Sequence, residues 1–262
     1  MEQEIRKNLA KGRFMLFYQP QFDLATRSVV GMEALLRWRH PELGMSSPER
    51  VIAVAEQSGL IVDIDAWTLR AACAQVSKWR SRGMPYLRTA INFSAINLHR
   101  EGFAGKVERI LKEFNLPADW LELEVTESVL NTGCNVIDEL VRLKALGVTL
   151  AIDDFGTGYS SLSSLKHLPI DRIKIDRSFI TDVPGNRSDA GITQAIITMG
   201  HNLNLKVIAE GVENEDQWQF LRSLGCDEAQ GFLFSKPLAA SLIPPYLTKK
   251  SSMMLADERT AV

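Results

Sequence analysis

The strongest constraint on how this chain folds is a regular alternation of short apolar runs and longer amphipathic stretches. Six strand-like runs follow one another at Thr89–Asn92, Leu121–Val125, Thr149–Asp153, Arg172–Ile175, Lys206–Ala209 and Glu228–Gly231. The intervals between them show helical spacing of apolar residues, at Gly102–Phe114, Val136–Leu146, Ser160–Leu168, Ala190–Leu203 and Glu215–Leu224. Strands that alternate with helices predict an α/β fold with a parallel sheet and crossover helices.

The beginning of the chain departs from this alternation. Phe14–Gln21 and Val29–Trp38 are both strand-like, and a short polar turn separates them, which predicts an antiparallel hairpin. Helices are then predicted at Pro48–Ser58 and Ile64–Arg82. Together the hairpin and the later runs give eight strands. We therefore expect a closed (β/α)8-type barrel, made irregular by the opening hairpin.

Length and composition are consistent with one large domain. The chain has 262 residues, of which 45% are hydrophobic, and this is enough to bury a substantial core. We expect a single domain over residues 1–250 and a frayed tail over residues 251–262, where the periodicity is lost. The net charge of -2 argues against a strongly basic nucleic-acid surface.

The cysteines and the N-terminal segment bear on the compartment. Cys73, Cys134 and Cys226 lie far apart without CxxC spacing, which favours free thiols in a reducing environment. No apolar run approaches the roughly 20 residues of a membrane helix, and the charged N-terminus does not resemble a secretory signal. We expect a cytoplasmic protein, or the cytoplasmic domain of a larger and possibly membrane-anchored one.

Polar residues stand at or near the end of almost every predicted strand. They are Glu33, Asn92, Glu124, Asp153, Asp154, Lys174, Glu210 and Gln230. In such barrels the C-terminal ends of the strands form the active-site face, so these side chains are expected to meet at one rim. Any one of them alone is more often a solvated loop residue, since acidic side chains are mostly exposed. Five carboxylates converging on one rim, however, repel one another and favour a cationic partner.

The types of side chain favour a hard divalent cation. Carboxylates and an asparagine carbonyl suit Mg²⁺ or Mn²⁺, and the four histidines show no metal-binding spacing, which disfavours zinc. Asp153 could bridge two ions about 3.5–4 Å apart while Asp154 holds the second. Two-metal sites of this kind activate water for an in-line displacement at phosphorus, and Lys174 would contact the water or a phosphate oxygen.

Two other motifs carry less weight. Residues 154–156 read DFG, but the other kinase motifs are missing, so this match is accidental. The glycines of GTG at residues 156–158 equally suit a phosphate cradle or a tight turn. Four acidic residues flank the candidate ligands and could either support them or be solvated: Glu127, Asp171, Asp176 and Glu213.

Several motifs along the chain resemble those of a known family. In order along the chain, the motifs YQPQFDL, EALLRW, INFS, LELEVTES, AIDDFGTGYSSL, LPIDRIKIDRSFI, VIAEGVE and QGFLFSKPL are similar to those of EAL-domain proteins. The resemblance extends from about Leu9 to Leu238. It implies a cyclic di-GMP phosphodiesterase that uses Mg²⁺ or Mn²⁺ to give linear pGpG. It also implies a modified TIM barrel with the first strand antiparallel.

The resemblance also implies roles for individual residues. Ligands of one metal would be Glu33, Asn92, Glu124 and Asp153, and ligands of the other would be Asp153, Asp154 and Glu210. Glu33, Lys174 and Glu210 would take part in catalysis, with Lys174 contacting the catalytic water. Arg37, Gln230 and Gln19 would bind the substrate, with Arg37 meeting a substrate phosphate and Gln230 also supporting the site. Glu127 would hold the loop from Asp154 to Tyr159 in its active shape.

Two alternatives and several partners remain open. Degenerate family members bind cyclic di-GMP without cutting it, so the chain could be a silent receptor module that signals to a partner. A purely structural barrel with an acidic rim is the third possibility. From the family alone we expect a homodimer, and sensor or GGDEF domains that could be covalently linked outside this chain. Neither a nucleic-acid polymer nor a membrane span in this chain is expected.

Overall fold

Eight strands close into a barrel that surrounds a largely polar interior. The computed structural model describes residues 2–40, 44–46, 48–100, 102–128, 134–158 and 165–248. In chain order its strands are β1 Phe14–Asp23, β2 Val29–His40, β3 Gly44–Ser46, β4 Arg88–Asn92, β5 Leu121–Thr126, β6 Thr149–Phe155, β7 Arg172–Ile175, β8 Lys206–Ala209, β9 Glu228–Ala229 and β10 Leu238–Ala239. β3 and β10 are short additions to β2 and β1 and do not take part in closure.

The barrel closes through β1, which runs against both of its neighbours. β1 pairs antiparallel with β2, placing Gln19 opposite Glu33, and antiparallel with β9, placing Phe22 opposite Ala229. From β2 onward the strands β4, β5, β6, β7, β8 and β9 add in parallel. The predicted modified barrel with an antiparallel first strand is therefore confirmed.

Helices follow most of the strands and pack around the barrel. They are α1 Glu2–Ala10, α2 Pro48–Ser58, α3 Ile61–Ser81, α4 Ala95–Leu98, α5 Phe103–Glu113, α6 Cys134–Leu146, α7 Arg187–Asn202 and α8 Glu215–Ser223. Most of the predicted helix Ser160–Leu168 and the predicted tail 251–262 lie outside the described residues. No helix of the described part combines the length and apolar composition needed to cross a bilayer.

Strand β5 shows why the barrel interior is polar. Its apolar residues Leu121, Leu123 and Val125 are buried and alternate with Glu122 and Glu124, which are also fully buried. Because successive side chains point to opposite faces of a sheet, the apolar set packs under the helices and the glutamates enter the barrel. Glu122 lies toward the N-terminal end of the barrel and Glu124 toward the C-terminal end.

The N-terminal end of the barrel is closed by a buried ionic network. Arg88 Nε and Arg172 Nε each lie 3.0 Å from Glu122 Oε2. Glu228 pairs with both arginines, at 2.7 Å from Arg88 NH2 and 2.6 Å from Arg172 NH1, and Gln21 Oε1 accepts a bond from Arg88. Two guanidinium groups balance two carboxylates, so this end of the barrel is neutral and filled.

Candidate active site

The opposite end of the barrel gathers the polar strand-end residues of the sequence. Glu33 comes from β2, Asn92 ends β4, Glu124 lies in β5 and Asp153 lies in β6. Lys174 lies in β7, and Glu210 and Gln230 directly follow β8 and β9. Parallel strands place their carboxyl ends on the same rim, which is why residues so far apart in the chain meet here.

Lys174 occupies the centre of this cluster. Its Nζ lies 2.7 Å from Glu210 Oε1, 2.8 Å from Glu124 Oε2 and 3.0 Å from Asp153 Oδ1, with Glu33 Oε1 at 3.8 Å. The Lys174 side chain is only 1% exposed. A single buried ammonium therefore faces four carboxylates.

The carboxylates divide into two groups that share one residue. Glu33, Glu124 and Asp153 offer one oxygen each within 4.8 Å of one another, and Asp153, Asp154 and Glu210 do the same. Neither group, as found among the described residues, contains a histidine or a cysteine. Oxygen-only ligation of this kind suits Mg²⁺ or Mn²⁺ rather than zinc.

Two amide side chains, Asn92 and Gln230, hold Glu33 in place, and Gln19 in turn contacts Gln230. Asn92 Nδ2 donates to Glu33 Oε1 at 2.6 Å, and Gln230 Nε2 donates to Glu33 Oε2. Gln230 Nε2 also reaches Gln19 Oε1 at 3.1 Å, while Gln19 Nε2 donates to Ser235 O at 3.0 Å. The Asn92 amide thus turns its nitrogen toward Glu33, which leaves Oδ1 as a possible ligand oxygen. Gln19 and Gln230 are both buried, and their hydrogen bonds go to other protein groups around Glu33.

Burial and like charge perturb the acids of this cluster. Burial raises the pKa of Glu124 well above its usual range and raises the pKa of Glu210 to about 8, although Lys174 opposes both shifts. Burial and the neighbouring Asp153 carboxylate raise the pKa of Asp154 to about 6. For Glu33, burial acts in the same direction, but the Lys174 charge and the bonds from Gln230 and Asn92 outweigh it and lower the pKa.

The donor set fits a hard divalent cation. Four carboxylates outnumber the single ammonium that they contact, so the site accommodates further positive charge. In addition, neither buried oxygen of Glu124 has a hydrogen-bond partner of good geometry among the described residues, although Oε2 is within ion-pair distance of Lys174.

The end of β6 carries Asp154 in a strained conformation and leads into a loop at residues 156–158. Asp154 has φ +54°, in the left-handed region that costs a non-glycine residue about 1 kcal/mol or more. Glu127 Oε2 accepts bonds from Gly156 N at 2.9 Å and Gly158 N at 3.1 Å, and Glu127 is buried. This contact holds the loop as far as residue 158; Tyr159 lies outside the described residues.

The other flanking acids have different surroundings. Asp171 pairs with Lys144 at 2.7 Å and accepts Leu150 N at 2.8 Å, so it lies at the far end of β7 and supports the fold. Asp176 caps the turn after β7 by accepting Ser178 N at 3.0 Å. Glu213 forms an exposed ion pair with Arg177 at 2.8 Å.

A cavity of about 650 Å³ opens beside the cluster. Arg37, Asn92 and Asp154 line its inner side, and apolar residues of α2 and α3, including Ile52 and Ile61, form its outer wall. Arg37 is half-buried and lines the cavity.

Two acidic residues of this cavity were not singled out from the sequence: Glu56 on α2 and Asp65 on α3. Asp65 is buried and accepts bonds from Ser94 N at 3.0 Å and Asn97 Nδ2 at 2.7 Å. An acidic residue at a core-facing position of a helix was the one available signal.

Comparison with known proteins agrees with this geometry. The family model of the EAL domain matches residues 2–237. The chain belongs to the EAL domain family. The cyclic di-GMP phosphodiesterase NbdA of Pseudomonas aeruginosa is 46% identical over 248 residues, which are 94% of this chain and 32% of NbdA.

Solved EAL structures superpose closely on the barrel. The PaMucR phosphodiesterase in complex with c-di-GMP is 41% identical with a TM-score of 0.88, covering 92% of this chain and 98% of that one. The EAL domain of Mycobacterium smegmatis DcpA is 38% identical with a TM-score of 0.77, covering 91% and 97%. The chain spans about a third of the length of curated EAL relatives such as NbdA.

Proposed function

We propose that this chain is a metal-dependent phosphodiesterase that hydrolyses cyclic di-GMP to linear pGpG. The observation that carries the proposal is the pair of carboxylate groups that share Asp153 at the mouth of a barrel. Their position beside a cavity that contains Arg37 provides room for a phosphodiester next to the ions. The names of relatives such as NbdA and PaMucR support the choice of substrate.

Two divalent cations, Mg²⁺ or Mn²⁺, would be held by residues of both groups. Glu33, Asn92, Glu124 and Asp153 would hold one, and Asp153, Asp154 and Glu210 would hold the other. Bound divalent cations supply positive charge that activates a water molecule and neutralises charge developing on phosphoryl oxygens. The carboxylate surplus around Lys174 supports this assignment.

Lys174 acts in this proposal as a fixed hydrogen-bond donor. Three carboxylate oxygens lie within 3.0 Å of its Nζ, which favours the ammonium form in the metal-free site. An ammonium donates protons in hydrogen bonds and has no lone pair with which to take one. In that form Lys174 orients the attacking water or a phosphoryl oxygen.

The remaining residues bind the substrate or position the metal ligands. Arg37 presents a guanidinium at the cavity side of the cluster, where it would contact a substrate phosphate. Gln230 and Gln19 keep Glu33 oriented through their hydrogen bonds. Glu127 holds the loop that follows Asp154 by accepting two backbone amides.

The test is turnover of cyclic di-GMP by the purified chain. With Mg²⁺ or Mn²⁺ we expect conversion to pGpG, measured by chromatography, and loss of turnover when a chelator is added. Glu33→Ala removes one ligand and is expected to abolish hydrolysis while the barrel stays folded. The matched control Glu213→Ala removes an exposed carboxylate outside the cluster and should retain activity.

Turnover, together with measurements of ligand and metal binding, distinguishes the competing functions. Binding of cyclic di-GMP without pGpG formation under any divalent ion would identify a receptor module. Absence of divalent-ion binding in calorimetry would favour a structural barrel with an acidic rim. A homodimer and linked sensor or GGDEF domains are further expectations from the family, and sedimentation of the chain tests the first of them.

A further inference from the structure

The turn that follows β7 lies between two loops of the candidate site. It is a single 3₁₀ turn, Arg177–Phe179. The end of β6 carries Asp154 and leads into Gly156, and the loop after β8 carries Glu210 and continues into Gly211. The turn therefore stands between the two segments that provide Asp154 and Glu210.

At one end of the turn, the ring of Phe179 lies against Gly156. Gly156 has φ +100°, and a Cβ built on it would lie 2.8 Å from Phe179 Cε2 and 3.4 Å from Ile196 Cδ1. Real Cβ atoms do not approach a neighbour so closely, so the aromatic ring directly contacts the loop backbone. Phe179 thus blocks one side of the loop that Glu127 holds through the Gly156 amide.

At the other end of the turn, the stem of Arg177 covers Gly211. Gly211 has φ +70°, and a Cβ built on it would overlap Arg177 Cγ and lie 2.9 Å from Arg177 Cδ. The guanidinium continues past this contact to an exposed ion pair with Glu213. Exposed pairs contribute little, so the contact that fixes Gly211 is made by the aliphatic part of Arg177.

The turn is itself anchored from outside by buried polar side chains. Thr193 Oγ1 of α7 donates to Phe179 O at 3.1 Å. Gln217 Nε2 of α8 donates to Ile180 O at 3.1 Å and to Thr181 O at 2.9 Å. Thr193 and Gln217 are both at most 2% exposed, so the turn is fixed to the helical layer and can resist movement of either loop.

The contact between Phe179 and Gly156 lies two residues beyond the left-handed backbone of Asp154. A non-glycine residue in the left-handed region persists only where its surroundings over-determine it. We propose that Arg177 and Phe179 are positioning residues that set the separation of the Asp154 and Glu210 carboxylates. The turn thereby controls the affinity of the second cation site, formed by Asp153, Asp154 and Glu210. This inference rests on the proposed two-ion site.

The proposal predicts that weakening the turn affects the two cation sites unequally. The turn contacts Gly156 and Gly211, close to Asp154 and Glu210, whereas Glu33 and Glu124 lie on β2 and β5, outside these two segments. Weakening the turn should therefore affect one cation site more than the other. General destabilisation of the barrel would weaken both.

The experiment is calorimetric titration of the full chain with Mn²⁺. Wild type is expected to bind two ions. Phe179→Ala and Arg177→Ala should each weaken one of the two sites by about 10-fold and leave the other within about twofold, since supporting residues of metal sites typically contribute 10–100-fold in affinity. Phe179→Leu and Arg177→Met keep apolar contact with the glycines and should restore most of the affinity.

As a control, Phe114→Ala removes a comparably half-buried phenylalanine at the end of α5 and should leave both Mn²⁺ affinities unchanged. Equal weakening of both sites, no weakening, or an Arg177→Met variant as defective as Arg177→Ala would overturn the proposal. Wild type that binds no Mn²⁺ would overturn both proposals. Two bound ions without hydrolysis would remove the phosphodiesterase proposal alone.

Discussion

Lys174 Nζ lies 2.8 Å from Glu124 Oε2 inside the barrel, and the two side chains are 1% and 0% exposed. Burying such charges costs several kcal/mol per ion unless each has a partner. Lys174 is the one cation that the described residues place among Glu33, Glu124, Asp153 and Glu210. The structural integrity of this end of the barrel and its proposed chemistry therefore depend on the same ammonium group.

Lys174→Met is expected to destabilise the barrel strongly when no metal is present. It leaves a group of buried carboxylates without their counter-charge, and removing one partner of a buried pair costs about 3–5 kcal/mol. Urea unfolding in a chelator measures the loss. Mn²⁺ at about 100 times its Kd should return about 2.7 kcal/mol for each ion bound. The control Lys144→Met breaks a half-exposed pair with Asp171 and should cost about 1 kcal/mol or less.

Glu124→Gln should have the opposite effect on stability. Burial raises the pKa of Glu124 well above its usual range, so the neutral amide replaces a group whose charged form is disfavoured in the metal-free site, and the free energy of unfolding in a chelator should stay the same or rise. Mn²⁺ affinity and kcat should nevertheless fall, kcat by about 100-fold or more, because a ligand charge is lost. A variant that is both less stable and fully active would contradict the assignment of Glu124 as a ligand.

The sequence predicted the barrel well because strands and helices here have clear periods. Arg172–Ile175 and Lys206–Ala209 have the same bounds in the structure as in the prediction. The rim residues could be anticipated because parallel strands end on one face. The polar interior was not predicted, although Glu122 and Glu124 alternate with apolar residues in one strand with a period of two.

Other features could not be predicted because they depend on long-range contacts. No element was assigned to residues 2–10, yet α1 buries Ile5 in a cluster with Val51 and Ile64. The central position of Lys174 and the cavity wall provided by Asp65 arise from packing between distant segments. The contact between Phe179 and Gly156 likewise joins residues whose relation no local pattern shows.

Glu127→Ala should loosen the loop that follows β6. Glu127 Oε2 accepts the amides of Gly156 and Gly158, so both amides lose their acceptor. We expect faster hydrogen exchange over residues 154–158 and a fall in kcat of about 10–100-fold, as for other residues that support metal ligands. Glu127→Gln keeps an acceptor oxygen, so its kcat should fall less than that of Glu127→Ala. Unchanged exchange in Glu127→Ala would show that other contacts hold the loop.

Arg88→Met should reduce stability without changing catalysis. Arg88 is buried and pairs with Glu122 and Glu228 at the closed end of the barrel. It lies four residues before Asn92 on β4, which corresponds to about 13 Å. The free energy of unfolding should fall by about 3–5 kcal/mol, while kcat measured well below the unfolding temperature should change less than twofold. The control Arg70→Met breaks an exposed pair with Glu113 and should leave the free energy of unfolding nearly unchanged.

Asp65 is expected to make the stability of the protein depend on pH. Burial raises the pKa of Asp65 to about 7, although the bonds from Ser94 N and Asn97 Nδ2 act against the shift. In the unfolded chain the pKa of an aspartate is about 3.9. The folded state therefore binds this proton more tightly, and the stability that the protonated form contributes is lost as pH rises from about 4 through 7.

Asp65→Asn cannot titrate, so the comparison of the variant with wild type isolates this contribution. Between pH 4 and pH 8 the stability of the variant should improve relative to wild type by about 2–4 kcal/mol, since one pKa unit corresponds to about 1.4 kcal/mol. Urea unfolding in a chelator at both pH values measures the difference. Asp63→Asn, an exposed position on the same helix, serves as the control and should show no such trend. A difference that stays constant with pH would mean that Asp65 is ionised throughout, with its two donors fully offsetting the cost of its burial.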